Sequence, residues 1–151
     1  MYSPDAFKME DKDVLFAFME QHSFATIVSH DDEAPVATHV PVLLRRDKGT
    51  LVSHIARANP QWKLGAGRAL IVLAGPEAYV SPSFYPSKSE HGKTVPTWNY
   101  EAVHLSGVVE WFDDAGRLED VVRRLSQVHE HDRPAPWAIE DAPRVYIDAL
   151  L

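Results

Sequence analysis

The chain has 151 residues, no cysteine and a formal net charge of −7, with 45% hydrophobic and 25% charged residues. This size and composition are those of one globular domain, and the lack of cysteine excludes disulfides, thiolate metal sites and a cysteine nucleophile. The acidic charge disfavours direct nucleic-acid binding, no segment is apolar enough to span a bilayer, and an acidic amino terminus unlike a signal peptide leads us to expect a cytoplasmic location.

The first part of the chain predicts a helix followed by a hairpin. Asp11 is a favoured N-cap, and apolar residues on one side carry the helix to about Gln21. FATIVSH then predicts a strand and Asp31-Asp32-Glu33 a turn. The regular alternation from Ala34 to Arg45 predicts one continuous second strand.

The rest of the chain predicts further strands and a late helix. Asp47-Lys48-Gly49 is a turn pattern that leads into the strand TLVSHIA. ALIVLAG, from Ala69, is a continuous apolar run typical of a central strand buried on both faces. After it come AYVSP and an irregular loop from Pro82 to Pro96. The sequence then predicts a strand over Trp98–Phe112, a helix capped by Asp114 and a short final helix.

Several antiparallel strands at short spacing, with helices at the edges, indicate a small barrel or an α+β sheet. The sequence shows no βαβ alternation, no GxGxxG and no Walker phosphate loop, so a doubly wound nucleotide-binding fold is not expected.

HIARANPQWK, residues 54–63, is the most informative local pattern. Asn59 and Pro60 are favoured residues for a helix start, where free N–H groups and the helix dipole attract phosphate. Arg57 and Lys63 add two cations, and an arginine can grip a phosphate through two parallel hydrogen bonds. A capped surface helix with two solvated cations is the alternative interpretation.

The stretch from Gly75 to Tyr100 combines aromatic rings with prolines, and it supplies the second half of a possible cofactor site. Rings such as Trp98 and Tyr100 offer flat apolar surfaces with polar edges, which suits a flavin. Filling of the barrel interior by these rings is the alternative. The loop containing Lys88 and His91 could be a mobile lid, a dimer contact or disordered.

Other site chemistries receive less support. The eight histidines lack the spacing of a helical zinc site, so no metal is expected. His39, His54 and His104 lie in predicted strands and could converge, even on a haem iron, although structural roles are the simpler interpretation. Ser81 and Ser83 lack the GxSxG context of a hydrolase nucleophile.

The chain resembles the PaiB-like FMN-binding negative transcriptional regulators. The resemblance extends from Met1 to about Ala149 and is carried by MYSPDAF, FATIVS, HIARANPQW, GPEAYVSPSFYPSK, VPTWNYEAVHLSG and PWAIEDAP. It implies a mainly β fold with peripheral helices, an FMN-binding split β-barrel like that of pyridoxamine-phosphate oxidases. The domain would span residues 1–151 and could lack a C-terminal extension, because family members continue beyond the equivalent of Leu151.

The resemblance also implies a homodimer with FMN where the two subunits meet. The segment from Ala56 to Lys63 would hold the phosphate, and the aromatic segment would lie near the flavin ring. The cofactor-binding residues expected on this basis are Ala56, Arg57, Asn59, Gln61, Trp62, Lys63, Ser81, Trp98 and Tyr100. Glu77 stands where the family often has His, and a negative charge there would weaken flavin binding if it faced the site.

Two functions follow from these expectations. The first is an FMN-binding module that represses transcription indirectly, because the acidic chain shows no basic recognition helix. The second is a flavin-dependent oxidoreductase acting on a small molecule, in which the cofactor carries the chemistry. No catalytic residue stands out from the sequence. A chain that only dimerises, with a vestigial flavin site, is a third alternative.

Overall fold

A computed structural model describes residues 2–31 and 33–150 and shows a mainly β architecture with helices at its periphery. The α-helices are α1 (Lys12–Gln21), α2 (Ser87–His91), α3 (Ala115–Glu130) and α4 (Arg144–Leu150). The strands are β1 (Phe24–His30), β2 (Pro35–Pro41), β3 (Leu43–Arg45), β4 (Thr50–Val52), β5 (Gly67–Val80) and β6 (Thr97–Val109). Short 3-10 turns cover Asp5–Phe7, Pro60–Leu64, Pro82–Phe84 and Ile139–Asp141.

Four strands form one antiparallel sheet in the order β2-β1-β5-β6, and β3 and β4 form a separate hairpin. Because side chains alternate along a strand, the register assigns each residue to one of two faces. Ala25 and Ile27 of β1 share a face with Ala69 and Leu73 of β5. We call this the inner face and the opposite one the outer face.

The hydrophobic core lies on the inner face. Leu73 on β5 is 0% exposed, and it belongs to one cluster with Met19 of α1. The rest of the buried cluster comprises Ala25, Ile27, Val40, Val42 and Ala69, with half-buried Phe16, Phe18, Leu44, Leu51, Ile55, Ile71, Val103, Leu105 and Val109 packed against it. Helix α1 and the β3–β4 hairpin therefore cover one side of the sheet only.

The predicted caps are confirmed. The Asp11 carboxylate accepts hydrogen bonds from the backbone N–H groups of Asp13 (2.9 Å) and Val14 (3.3 Å). The Asp114 carboxylate accepts from the N–H of Arg117 at 2.8 Å. Each cap satisfies donors that have no partner in the first turn of a helix, so both helices begin where the sequence predicts.

The strand boundaries differ from the prediction in several places. The strand predicted over TLVSHIA ends at Val52, so His54 lies outside it, and the strand predicted to reach Phe112 ends at Val109. The alternating run from Ala34 to Arg45 is divided between β2 and β3, because buried Val42 donates its N–H to the Ser23 carbonyl (2.8 Å) as the chain leaves the sheet. The runs ALIVLAG and AYVSP instead join in the single strand β5, with a register shift between Ala74 and Glu77.

Other predicted features also differ from the structure. The loop from Pro82 to Pro96 contains a 3-10 turn and α2, so it is partly regular. The strand predicted to be buried on both faces is buried only at Ala69 and Leu73, on the inner face. The predicted turn at residues 31–33 forms around Asp31, whose carboxylate accepts from two backbone N–H groups, whereas Asp32 lies outside the described residues.

Ion pairs attach α4 to α3. Glu119 is paired with Arg144 (2.7 Å) and with Arg123 (3.0 Å). These hydrogen bonds, the one from Arg144 first, hold the pKa of the Glu119 carboxyl below its ordinary value. The stabilisation is therefore present above the ordinary pKa of glutamate, about 4.3, and is lost as the pH falls through the lowered value. Among the described residues, no helix has the length and apolar character needed to cross a membrane.

Gly75 of β5 lies in close contact with the Phe18 ring of α1 and gives a testable prediction. A Cβ at this position would lie 2.7 Å and 2.8 Å from the Cε2 and Cζ atoms of the Phe18 ring. We expect Gly75→Ala to lower the free energy of unfolding by about 1–3 kcal/mol, the usual cost of overpacking, as measured by urea denaturation. Gly107→Ala is the control, because a Cβ there meets nothing within 4 Å. Equal stabilities for the two variants would contradict this packing.

Candidate functional site

The predicted phosphate corner, residues 56–63, is built around a turn packed on the sheet. Asn59 caps this turn as predicted: its Oδ1 accepts from the N–H of Gln61 (2.9 Å), and its Nδ2 donates to Thr38 Oγ1 (2.9 Å). Pro60 occupies the first position, also as predicted. The helix itself is only the 3-10 turn Pro60–Leu64, which ends at Gly65 with a φ of 73°. So short a turn has little macrodipole. The attraction for phosphate therefore comes mainly from the cationic side chains of Arg57 and Lys63.

Gln61 fastens this turn to the sheet. Its side chain is 1% exposed, and its Nε2 lies 3.3 Å from the Ile27 carbonyl, 3.1 Å from Ser29 Oγ and 3.3 Å from the Val36 carbonyl. One amide thus reaches both strands of the β1–β2 hairpin. Its Oε1 is buried without a hydrogen-bond partner among the described residues.

The cations of the corner lie at the surface. Arg57 and Lys63 are both exposed, and the Trp62 Nε1 donates to the Arg57 carbonyl at 3.0 Å. The Lys63 Nζ lies 5.7 Å from the centre of the Trp62 ring, within range of a cation–π interaction. The Ala56 carbonyl accepts from the Asn59 N–H at 2.8 Å. Hydrogen bonds at Ala56 and at the Arg57 carbonyl therefore fix the backbone around these two cations, an arrangement that suits the binding of a phosphate group at the surface.

The predicted aromatic half of the site lies on the far part of β5 and β6. Trp98 pairs with Tyr79 across the strands, and their ring centres are 5.8 Å apart. Trp98 is 57% exposed and Tyr100 is 60% exposed. The Trp98 Nε1 donates to the Glu77 carboxylate. The Glu77 carboxylate is therefore hydrogen-bonded to the indole N–H. The rings of Trp98 and Tyr100 are exposed, so they do not fill the interior of the described chain.

Ser81 and the following segment continue from the end of β5. Ser81 is half-buried, and its hydroxyl accepts from the N–H of Ser83 at 3.2 Å, which begins the turn Pro82–Phe84. Lys88, in α2, donates to Ser83 Oγ at 2.8 Å. Phe84 and Tyr85 are exposed beside them, so this segment adds rings and a cation to the aromatic end of the sheet.

The structure divides the predicted site residues into two groups. Ile27, which Gln61 contacts, aligns with Ile71 and then with Leu105 across the sheet. Seven residues separate Leu105 from Trp98, or about 23 Å along the strand at about 3.3 Å per residue. The corner also packs on the inner face, whereas Trp98 lies on the outer face. Within one chain, therefore, the corner and the aromatic group are far apart.

The outer face carries an uncovered apolar surface. Phe24 of β1 is 67% exposed and Val108 of β6 is 69% exposed, and the register places both on the same face as Trp98 and Tyr100. Large apolar side chains of this kind can contribute to contacts with another molecule.

The histidines that could converge do not form a metal site in the described part of the chain. His39 shares a 2.9 Å hydrogen bond with Thr26 Oγ1, and its ring stacks on Phe24. His54 follows β4, where partial desolvation of its ring lowers its pKa. Across residues 2–31 and 33–150, no group of three or more His, Cys, Asp or Glu side chains could hold a metal ion.

Thr38 and Ser29 are parts of the corner that the sequence prediction missed. Both lie on the inner face and bind the side chains of Asn59 and Gln61. The sequence held one signal for this: Thr38 is a polar residue on the strand face that Val36, Val40 and Val42 otherwise occupy. A half-buried hydroxyl is stabilised by a hydrogen-bond partner, and in this structure the partner is an amide from the corner.

Comparison with protein families gives a match over the whole chain. A family model described as "Putative FMN-binding domain" matches residues 1–151.

Several curated proteins are similar to this chain. "Protease synthase and sporulation protein PAI 2" of Bacillus subtilis is 32% identical over 142 residues, which cover 91% of this chain and 66% of that protein. An uncharacterized protein of Aspergillus fumigatus is 35% identical over 68% of this chain and 52% of its own length. One of Saccharomyces cerevisiae is 33% identical over 65% of this chain and 62% of its own length. The chain thus spans about half to two thirds of these relatives.

A solved structure confirms the fold class. The FAD and heme binding protein from Mycobacterium smegmatis superposes with a TM-score of 0.67 at 17% sequence identity. The match covers 93% of this chain and 63% of the other. At this identity the likeness concerns the fold: the predicted mainly β, split-barrel architecture with peripheral helices is confirmed.

Gln61 allows the construction of the corner to be tested. We expect Gln61→Glu to lower the free energy of unfolding at pH 7 by about 3 kcal/mol or more, because it buries a carboxylate against two carbonyl oxygens. Gln61→Met, which fills the same space and removes the unpartnered Oε1, should cost about 1–2 kcal/mol. Urea denaturation measures both. If Gln61→Met were as stable as the unmodified protein, the amide would not hold the turn to the hairpin.

Proposed function

We propose that this chain, which belongs to the FMN-binding domain family, binds FMN as a homodimer in which each flavin lies between two subunits. Membership of the family confirms the resemblance and the FMN cofactor predicted from the sequence. The homodimer, the individual binding residues and the regulatory role are parts of the proposal. The cytoplasmic location stays a prediction.

The residues present fit the chemical character of FMN. Arg57 and Lys63 would bind its phosphate at the corner, and Trp98 and Tyr100 would offer flat surface to its ring system. FMN supplies reversible electron or hydride transfer when it is bound, and the protein contributes binding, orientation and a local field. Glu77, held by the Trp98 indole, would place a carboxylate at the edge of this aromatic surface.

The observation that carries the proposal is the separation of the two groups of site residues within one chain. One FMN molecule cannot contact both the phosphate corner and the aromatic group of the same chain, because they lie about 23 Å apart along the strands and on opposite faces of the sheet. A two-fold homodimer uses the same surface twice and can bring the corner of one subunit to the aromatic end of the other. The uncovered outer face supplies apolar surface for such an interface.

A regulatory role is the function that this module supports best. The Bacillus subtilis relative is named for protease synthesis and sporulation. With a net charge of −7, the chain is expected to act on transcription indirectly, through FMN occupancy or through a partner protein, as a negative regulator. Steady-state turnover of NADPH with an acceptor by the FMN-loaded protein would favour the oxidoreductase function instead.

The phosphate corner gives the first binding prediction. Arg57→Ala should weaken FMN binding by about 1.5–3 kcal/mol, the range for hydrogen bonds to charged groups, as measured by quenching of flavin fluorescence. Lys12→Ala removes an exposed cation from the start of α1 and should leave the affinity unchanged. Equal affinities for the two variants would remove Arg57 from the site.

A subunit-mixing experiment tests whether two chains share each site. Arg57→Ala and Trp98→Ala should each reduce the FMN retained after gel filtration. When the two variants are mixed and allowed to exchange subunits, each heterodimer should regain one site with both groups intact, or about a quarter of all sites. If each site belonged to a single chain, mixing would restore nothing.

Tyr146→Ala is the matched control for this experiment, because Tyr146 is an aromatic residue of α4 with the same 60% exposure as Tyr100. It should retain FMN, and sedimentation equilibrium should show the same dimer as the unmodified protein. A monomeric unmodified protein that still bound FMN would contradict the shared site.

A further inference from the structure

A cationic cleft separate from the candidate flavin site lies between the end of the β3–β4 hairpin and the C-terminal half of α3. It has a volume of about 970 Å³ and is open to solvent. Its lining residues are Leu43, Leu44, Arg45, Arg46, Asp47, Lys48, Arg124, Gln127, Val128 and His131. None of them belongs to the phosphate corner or to the aromatic group.

The charge of this cleft is opposite to that of the chain. Four lining residues are permanent cations and one, Asp47, is a carboxylate, whereas the whole chain has a net charge of −7. A local excess of positive charge on an acidic protein attracts anions to that place.

Two of the four cations are already engaged. Arg46 is held by both oxygens of Glu20, at 2.8 Å and 2.6 Å, and the Arg124 Nε lies 2.9 Å from the Asp120 carboxylate. Arg45, which is half-buried, and Lys48 have no side-chain hydrogen bond or ion pair within the described ranges 2–31 and 33–150. A guanidinium that is partly removed from water and has no carboxylate partner is suited to an external anion.

Apolar groups accompany the charges. Leu43 and Leu44 are half-buried, and Val128 presents its side chain from α3. An anion that carries an apolar group would contact this surface and the cations together, whereas a bare inorganic ion would use the cations alone.

We propose that this cleft binds a phosphate monoester with a small apolar group. A phosphate has three terminal oxygens and nearly two negative charges at pH 7, which matches the two cations of the cleft, Arg45 and Lys48, that no carboxylate of the described residues engages. Arg45 and Lys48 bind the phosphate, and Leu43, Leu44 and Val128 contact the apolar group. This inference goes beyond the proposed FMN function and does not depend on it.

The experiment uses the FMN-loaded protein, so that flavin sites are filled, and phenyl phosphate as the probe. Titration followed by ¹⁵N–¹H NMR should give saturable shifts of the amides in residues 43–48 and 124–131. Inorganic phosphate should bind these residues several-fold more weakly because it lacks apolar contact. Benzyl alcohol, which lacks the charge, should produce no saturable shifts there.

Three single-charge variants decide the assignment. Arg45→Gln and Lys48→Gln should each weaken phenyl phosphate binding about tenfold while retaining FMN. Lys12→Gln, which removes the same charge outside the cleft, should bind the probe as the unmodified protein does. The proposal is overturned if residues 43–48 show no saturable shifts, if Lys12→Gln weakens binding equally, or if Arg45→Gln releases FMN.

Discussion

Among the described residues, the four-stranded sheet is covered on one face only, and its other face exposes large apolar side chains to water. Helix α1 and the β3–β4 hairpin bury the inner face around Leu73, whereas Phe24 and Val108 remain in contact with water on the outer face. Burial of apolar surface is the main favourable contribution to folding and to most protein association. The same sheet that gives the chain its core therefore also presents a surface for another molecule, and the homodimer proposal follows from this asymmetry.

The path of β5 determines where the aromatic residues lie. At Gly75 the strand passes so close to the Phe18 ring that an added Cβ would lie 2.7 Å from a ring atom, and the register with β6 shifts between Ala74 and Glu77. Such bulges bend strands and re-aim the side chains beyond them. Tyr79 and Trp98 consequently lie beyond the packed core, where their rings are available for contact with a ligand or a second subunit.

Polar contacts at the opposite end of the core give the corner its form. Asn59 and Gln61 bind Thr38, Ser29 and two backbone carbonyls of the β1–β2 hairpin, and these hydrogen bonds attach the turn to the sheet. The backbone before the turn then carries Arg57 at the surface, with its carbonyl held by the Trp62 indole. Buried hydrogen bonds are costly to break because each broken bond leaves an unsatisfied group. They can therefore position exposed cations without burying them.

Local sequence signals by themselves determined the helix starts at Asp11 and Asp114, the Asn59 cap, the mainly β class and the FMN family, because caps, alternation and family motifs depend on nearby residues. Only the tertiary structure decided that the run ending at Arg45 changes sheets at Val42 and that β5 continues through Gly75. It also decided that the two groups of site residues lie far apart. Such features depend on pairing between distant strands, and residue patterns specify the face of a side chain but not its distance from residues elsewhere in the chain.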